Sequence, residues 1–202
     1  MGGNPMDFTE HIPAAEKNIF TAKWLNILFW LYVLQLVVFS SVIFIRQVIL
    51  ISWLNIILQI FLIAVLFRLS SVNIRYRKAA IFLCFALCGE LISMVSTANA
   101  LGSLFSICSL IALYQEYGAH SELCAEQAPA LAGKWISLFH WKLGIGLAGS
   151  LFTVFAVVVA VMSNISEDTI ITAAVLLITL IKAVIEIICL LHLKKTIAAF
   201  AG

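Results

Sequence analysis

Six long apolar segments determine what this chain can fold into. They lie at about residues 24–45, 47–67, 79–98, 100–115, 143–162 and 169–193. A helix needs about 20 predominantly apolar residues to cross the hydrocarbon core of a bilayer. The segments lack the alternation of a barrel strand, and in lipid a helix satisfies its own backbone hydrogen bonds. The sequence therefore predicts an all-α, polytopic integral membrane protein, a bundle of six transmembrane helices.

The composition excludes most soluble classes of protein. Hydrophobic residues make up 63% of the 202 residues and charged residues 11%, whereas a soluble domain is about 45–50% apolar and about 25% charged. Too few polar side chains are present to cover this apolar surface in water. A net charge of +2, with no basic patch outside the loops, predicts no nucleic-acid partner. The expected partner is the lipid bilayer.

Basic residues in the loops predict the orientation of the bundle, because Lys and Arg concentrate on the cytoplasmic side. Arg46 alone falls on the opposite side, and Lys182 falls inside the sixth segment. The remaining ten share one side: Lys17, Lys23, Arg68, Arg75, Arg77, Lys78, Lys134, Lys142, Lys194 and Lys195. We therefore expect a cytoplasmic N-terminal segment at 1–23, a cytoplasmic segment at 116–142 and a cytoplasmic tail at 194–202.

The fourth segment is the shortest, with 16 residues. If it did not cross the membrane, the chain would cross five times and Lys194 and Lys195 would face outward, against the charge bias. The first segment has 22 residues, longer than the core of a signal peptide at about 7–15 residues, and is typical of a retained signal-anchor. With no organellar targeting segment visible, we expect a multi-pass protein of a cell membrane, consistent with a bacterial inner membrane.

Charged residues at membrane depth are the strongest indication of a site. Glu90 lies near the centre of the third segment, Lys182 lies midway along the sixth, and Glu186 follows Lys182 by one turn. Each charge at the bilayer centre costs about 2.5–3.5 kcal/mol on insertion scales. Residues four apart share a helix face and can pair. We therefore predict a carboxylate–ammonium–carboxylate cluster of Glu90, Lys182 and Glu186.

Amide side chains fall at a similar depth in the first two segments, at Gln35, Asn55 and Gln59. In one interpretation this polar layer and the charges line a ligand- or ion-binding cavity, where a carboxylate binds a cation or a proton. In the other, Lys182 bridges the two glutamates and the amides only link helices. The sequence leaves both open.

A second pattern consists of Glu116, His120 and Cys124, spaced four residues apart. His and Cys are the ligand types of zinc. However, a ladder of this length spans about 12 Å along a helix, so at most two adjacent members could share a metal with ligands from elsewhere. The simpler interpretation is a solvated extension of the fourth helix. We predict no metal and no other cofactor.

Gly144, Gly146 and Gly149 form a G-x-G-x-x-G string. No strand precedes it, so it lacks the context of a dinucleotide-binding loop. Small residues in a membrane helix instead let a neighbouring helix approach closely.

These observations favour a small transporter, a channel or a substrate-binding membrane subunit that uses the polar layer. The alternative is a non-catalytic scaffold or regulatory subunit acting through helix–helix contacts. A third hypothesis, an enzyme acting on a lipid, would need an acid/base pair near one interface, such as Glu116 and His120. We predict no catalytic residues. A homo-oligomer or a partner membrane subunit stays open, because a pathway could form between subunits.

Overall fold

A computed structural model describes residues 14–41, 48–95, 99–163 and 167–201. These residues form six α-helices and no strand: α1 (Ala14–Ser41), α2 (Val48–Leu69), α3 (Ile74–Val95), α4 (Asn99–Gln127), α5 (Pro129–Ser163) and α6 (Glu167–Ala201). The all-α, six-helix prediction is thus confirmed for the described residues. Arg46 lies outside the described residues, as does part of the connection between the fifth and sixth segments, whereas Asn99, between the third and fourth segments, is the first residue of α4.

Helices α4 and α5 extend well beyond their apolar segments. The predicted cytoplasmic segment 116–142 is helical at every position except Ala128. The amide of Ala128 donates to the carbonyl of Cys124 at 2.8 Å, which closes α4, and Pro129 occupies the first position of α5, where its missing N–H costs nothing. Residues 130–141 belong to the first part of α5, and Trp135 and Leu138 are buried within the bundle.

The helices form a closed ring. Each helix packs against the next in sequence, α6 packs against α1, and a smaller contact joins α4 to α6. Neighbours run antiparallel: Arg68 near the end of α2 lies over the Trp24 ring near the start of α1, and Asn73 before α3 contacts Glu122 near the end of α4. The start of α1, the turn at 70–73, Ala128 and the end of α6 therefore lie at one end of the ring.

That end is closed by a tightly packed layer, which we call the sealed end. Its large side chains are at most 2% exposed: Leu25, Leu28, Leu69, Tyr76, Trp135 and Leu193. Protein interiors of this kind are packed as densely as organic crystals. Among the described residues, these six side chains fill the interior of the bundle at this end.

The outer surface of the ring is apolar. Leu151 is 72% exposed, and Phe155 and Leu180 are also exposed. Three helices are long and apolar enough to cross a membrane: Ala15–Ser41, Leu50–Leu69 and Leu176–Ala201. Apolar surface of this extent needs an apolar surrounding. The fold is therefore that of a multi-pass membrane protein whose outer surface contacts lipid.

Candidate functional site

A cavity of about 420 Å³ lies inside the ring. Along α2 it extends from Ile51 to Leu66, a length of about 22 Å at the rise of an α-helix. Its volume is within the range of small-molecule sites, about 300–1,000 Å³. All six helices contribute polar residues, in chain order Tyr32 and Gln35, Ser52 and Asn55, Glu90, Ser109 and Glu116, Lys142, and Glu186.

Glu90 of α3 is held by two amides from α2. Gln59 Nε2 donates to Glu90 Oε2 at 2.7 Å, and Asn55 Nδ2 donates to Glu90 Oε1 at 3.4 Å. Asn55 and Gln59 are four residues apart, so both face α3. The structure thus brings together three of the predicted site residues, with Gln35 and Glu186 on the wall of the same cavity.

Glu186 of α6 pairs with Lys142 of α5, at 2.5 Å between Nζ and Oε1. Lys182 is exposed on α6, so the predicted cluster of Glu90, Lys182 and Glu186 does not form. Lys142 from the neighbouring helix α5 instead provides the ammonium group that pairs with Glu186.

Four side chains form a series of polar contacts that we call the buried polar chain: Tyr32, Glu116, His120 and Tyr76. The Tyr32 hydroxyl donates to Glu116 Oε1 in a short hydrogen bond. The same carboxyl oxygen lies 3.6 Å from His120 Nε2, and His120 Nδ1 lies 2.8 Å from the Tyr76 hydroxyl. Glu116, His120 and Tyr76 are at most 5% exposed. The chain leads from the cavity to the sealed end.

Aromatic packing fixes the position of His120. Its ring stacks on Trp135 with 4.4 Å between centroids, while the Tyr76 ring meets it edge-on. Trp135 is itself anchored by donating from Nε1 to Thr196 Oγ1 at 3.1 Å. The imidazole therefore has one defined orientation, with Nε2 towards Glu116 and Nδ1 towards Tyr76.

Burial determines the ionisation state of Tyr76, the member of the buried polar chain nearest the sealed end. Burial raises the pKa of the Tyr76 hydroxyl well above its ordinary value, and the nearby Glu116 carboxylate raises it further. Both effects disfavour the charged phenolate. Tyr76 is therefore a neutral phenol at physiological pH, able to donate or accept a hydrogen bond at His120.

The predicted metal-ligand types separate into two places. Glu116 and His120 are in contact, but Cys124 Sγ faces α6 and lies 3.6 Å from Thr196 Oγ1. Burial raises the pKa of the Cys124 thiol, an effect partly offset by the hydrogen bond from Thr196, and a neutral thiol is a poor ligand. Across the described ranges, no group of three His, Cys, Asp or Glu side chains is placed to hold a metal ion.

The cavity has an excess of negative charge. Its lining contains three glutamates, at positions 90, 116 and 186, and one lysine, Lys142. With the carboxyl groups ionised, the formal charge of these residues is −2. The ammonium of Lys142 compensates Glu186. Glu116 instead contacts a phenol and an imidazole. A positively charged ligand fits this lining.

The lining residues absent from the sequence-predicted cavity include Tyr32, Glu116 and Lys142. Tyr32 is an aromatic residue within the first apolar segment, while Glu116 and Lys142 fell in the segment 116–142. The four-residue spacing of Glu116 and His120 was the one available signal, and it placed both residues correctly on one helix face. No local sequence pattern predicts the pairing of Lys142 with Glu186.

The glycine string in α5 has one close helix contact. A Cβ atom at Gly149 would lie 3.2 Å from Ile178 Cγ2 of α6, whereas Gly144 and Gly146 have no heavy atom within 4 Å of that position. Close packing, as predicted for this string, therefore depends on Gly149.

No protein-family model, curated protein or solved structure matches this chain.

Proposed function

We propose that this chain is a six-span protein of the cell membrane that binds a small organic cation in its central cavity and transports it. The observation that carries the proposal is the lining of that cavity: about 420 Å³, bordered by all six helices, with three glutamates and one lysine. Charges at membrane depth are costly unless they are compensated, and a bound cation would offset the net negative charge of this lining.

The lining suits an organic cation in particular. Tyr32 and Phe39 offer aromatic faces, which attract cations through the ring quadrupole. Glu90 is already oriented by Asn55 and Gln59, so little side-chain freedom is lost when a ligand binds. Apolar residues such as Leu62 and Leu66 line the rest of the wall and suit the carbon skeleton of the ligand.

The packing of α4 supports six crossings. This helix has 29 residues and lies between α3 and α5, antiparallel to both. The sealed end carries Arg68, Arg75 and Lys134, so the loop charges favour a cytoplasmic sealed end with both termini on that side. Delivery of the cation to the cytoplasm would then require the sealed end to open.

The cavity also favours cation binding and transport over the alternative function of a scaffold. A scaffold that acts through helix–helix contacts gains stability when its centre is packed with apolar side chains. Instead, Glu90, Glu116 and Glu186 border a common space. An ion-pair network alone would not need that space.

Methyl viologen, a compact dication that crosses bilayers poorly, is a suitable probe. We expect the purified protein in detergent to bind it, measured by titration calorimetry, and to bind its uncharged parent bipyridine much more weakly. The variant Glu90→Gln keeps the size of the side chain and one oxygen that can accept from an amide, but it removes one charge, so affinity for methyl viologen should fall about tenfold or more.

The matched control is Glu122→Gln. Glu122 lies on the outside of the bundle, where it pairs with Arg75, and its loss should leave affinity unchanged. Equal affinity for methyl viologen and its uncharged parent, together with no effect of Glu90→Gln, would contradict a cation site. Uptake of methyl viologen into proteoliposomes then tests transport, and binding without uptake would reduce the proposal to a substrate-binding subunit.

A further inference from the structure

The buried polar chain contains more than a cation site requires, because His120 and Tyr76 do not line the main cavity. We propose that Glu116 and His120 together hold a proton, and that entry of a cation beside Glu116 expels it. The protein would then exchange its cation for a proton. This inference rests on the proposed function and adds that the bound cation is exchanged for a proton.

Glu116 connects the proposed site of the cation with His120, which shares the proton. Its carboxylate lines the main cavity and also a small adjoining space of about 20 Å³ that contains His120. Oε1 of Glu116 accepts from Tyr32 and lies 3.6 Å from His120 Nε2. A cation in the cavity can therefore touch Glu116 but not His120, so the effect on His120 is electrostatic.

The geometry accommodates His120 with and without the extra proton. When the imidazole is neutral, the Tyr76 hydroxyl donates to Nδ1, and the hydrogen on Nε2 points to Glu116. When the imidazole is charged, both nitrogens carry hydrogen, and Nδ1 donates to the Tyr76 oxygen instead. The 2.8 Å separation of Nδ1 and the hydroxyl serves both states, and the ring stays stacked on Trp135.

Charge balance favours one proton in the empty cavity and none in the occupied one. Without a ligand, an imidazolium beside Glu116 compensates the carboxylate. A bound cation takes over that compensation and repels the imidazolium across a buried region where electrostatic interactions are strong. The imidazolium gives up one proton to water, and the Tyr76 hydroxyl donates to Nδ1 again. One cation enters as one proton departs.

Other titratable groups around the pair do not account for such a proton. Burial raises the pKa of Tyr76, of Tyr117 and of Cys124, so these groups stay neutral near pH 7. Lys142 is ion-paired with Glu186, and Tyr32 donates to Glu116. The remaining neighbours are on α6: Cys189, which bonds Tyr117, and His192, whose Nδ1 contacts the Ile188 carbonyl.

The test is proton release upon binding of methyl viologen. The full-length protein in weakly buffered detergent is mixed with the probe while a pH indicator reports free protons, from about pH 5 to about pH 8, the range in which histidines change charge. We expect release to approach one proton per bound molecule at the acidic end. Affinity should correspondingly rise with pH, by at most tenfold per pH unit, because coupling of two ligands is reciprocal.

Two histidine variants distinguish a role of His120 in proton release from a purely structural role. His120→Gln keeps a donor beside Glu116 but removes the titrating ring, so proton release should disappear and affinity should change less than about twofold across the pH range. His192→Gln is the matched control on α6, outside the buried polar chain, and should release protons as the unmodified protein does.

The results distinguish this inference from the proposed function. If the unmodified protein binds methyl viologen without releasing protons at any pH, or if His120→Gln releases them normally, the coupling is wrong while the cation site stands. If methyl viologen does not bind, both fail. Should His120→Gln not fold, the measurement on the unmodified protein still decides.

Discussion

At the scale of single residues, Lys142 determines how much negative charge the cavity retains. The sequence predicted Lys182, midway along an apolar segment, as the lysine of the cluster, and it assigned Lys142 only to the cytoplasmic side. The structure turns Lys142 to Glu186 and leaves Lys182 exposed. Hydropathy gives the depth of a residue in the membrane, but it does not say which neighbouring helix its side chain will face.

We expect Lys142→Met to strengthen binding of methyl viologen by about tenfold or more, because an ammonium no longer repels the dication and Glu186 becomes free to attract it. Lys182→Met removes the same charge from the outer surface of α6, away from the cavity lining, and should leave affinity within about twofold. Titration calorimetry of both variants measures this. Equal effects of the two substitutions would contradict the assignment of Lys142 to the cavity.

The polar residues of the site were therefore predictable in part. Gln35, Asn55, Glu90 and Glu186 stand out as polar positions within apolar segments, and all four line the cavity. Tyr32 and Glu116 do not stand out, because their hydrogen bond joins residues 84 positions apart. Contacts of that kind depend on which helices become neighbours, and no local pattern specifies this.

At the scale of elements, α4 and α5 differ most from the sequence prediction. The fourth apolar segment has 16 residues, but α4 has 29, because the polar residues that follow the segment continue the helix and face the bundle. Glu116, His120 and Cys124 are all buried. An average over hydropathy assigns such a stretch to a loop, since it does not distinguish polar groups with buried partners from polar groups in water.

The contact between α5 and α6 gives a prediction at this scale. Gly149→Leu would force a large side chain against Ile178, where even a Cβ atom would lie at 3.2 Å, and overpacking of this kind costs about 1–3 kcal/mol. Gly144→Leu places the same side chain where no neighbour lies within 4 Å. Thermal unfolding in detergent should therefore show a clear loss of stability for Gly149→Leu alone. Equal loss in both variants would point to backbone effects instead.

At the scale of the whole molecule, composition and segment lengths correctly predicted the class, an all-α bundle of six helices, and three helices meet the criteria for a membrane span. The closed ring was not predictable, because the order of helices around an axis depends on side-chain packing between distant segments. Its antiparallel neighbours place the start of α1 and the end of α6 together. That arrangement supports the charge-based orientation.

Reporter fusions test the orientation. We expect green fluorescent protein joined after Ala201 to fluoresce in the cytoplasm of a bacterial host, and alkaline phosphatase at the same site to be inactive, because the loop charges favour a cytoplasmic end here. Fusion of the two reporters after Ser163 should give the opposite pattern, and fusion after Gln127 should match Ala201. An active phosphatase after Ala201 would indicate five crossings and would refute the six-span proposal.

The closure of the ring by α1 and α6 has a consequence for synthesis. Ribosomes synthesise the helices in order, so the first and last partners meet only after the other four have been made. Glu90 can find its amides on α2 early, whereas the contact of Lys142 with Glu186 and the anchoring of Trp135 by Thr196 must await the final helix. A truncated product ending before α6 would thus retain charged and polar groups lacking these partners, the kind of exposure that membrane quality-control proteases recognise.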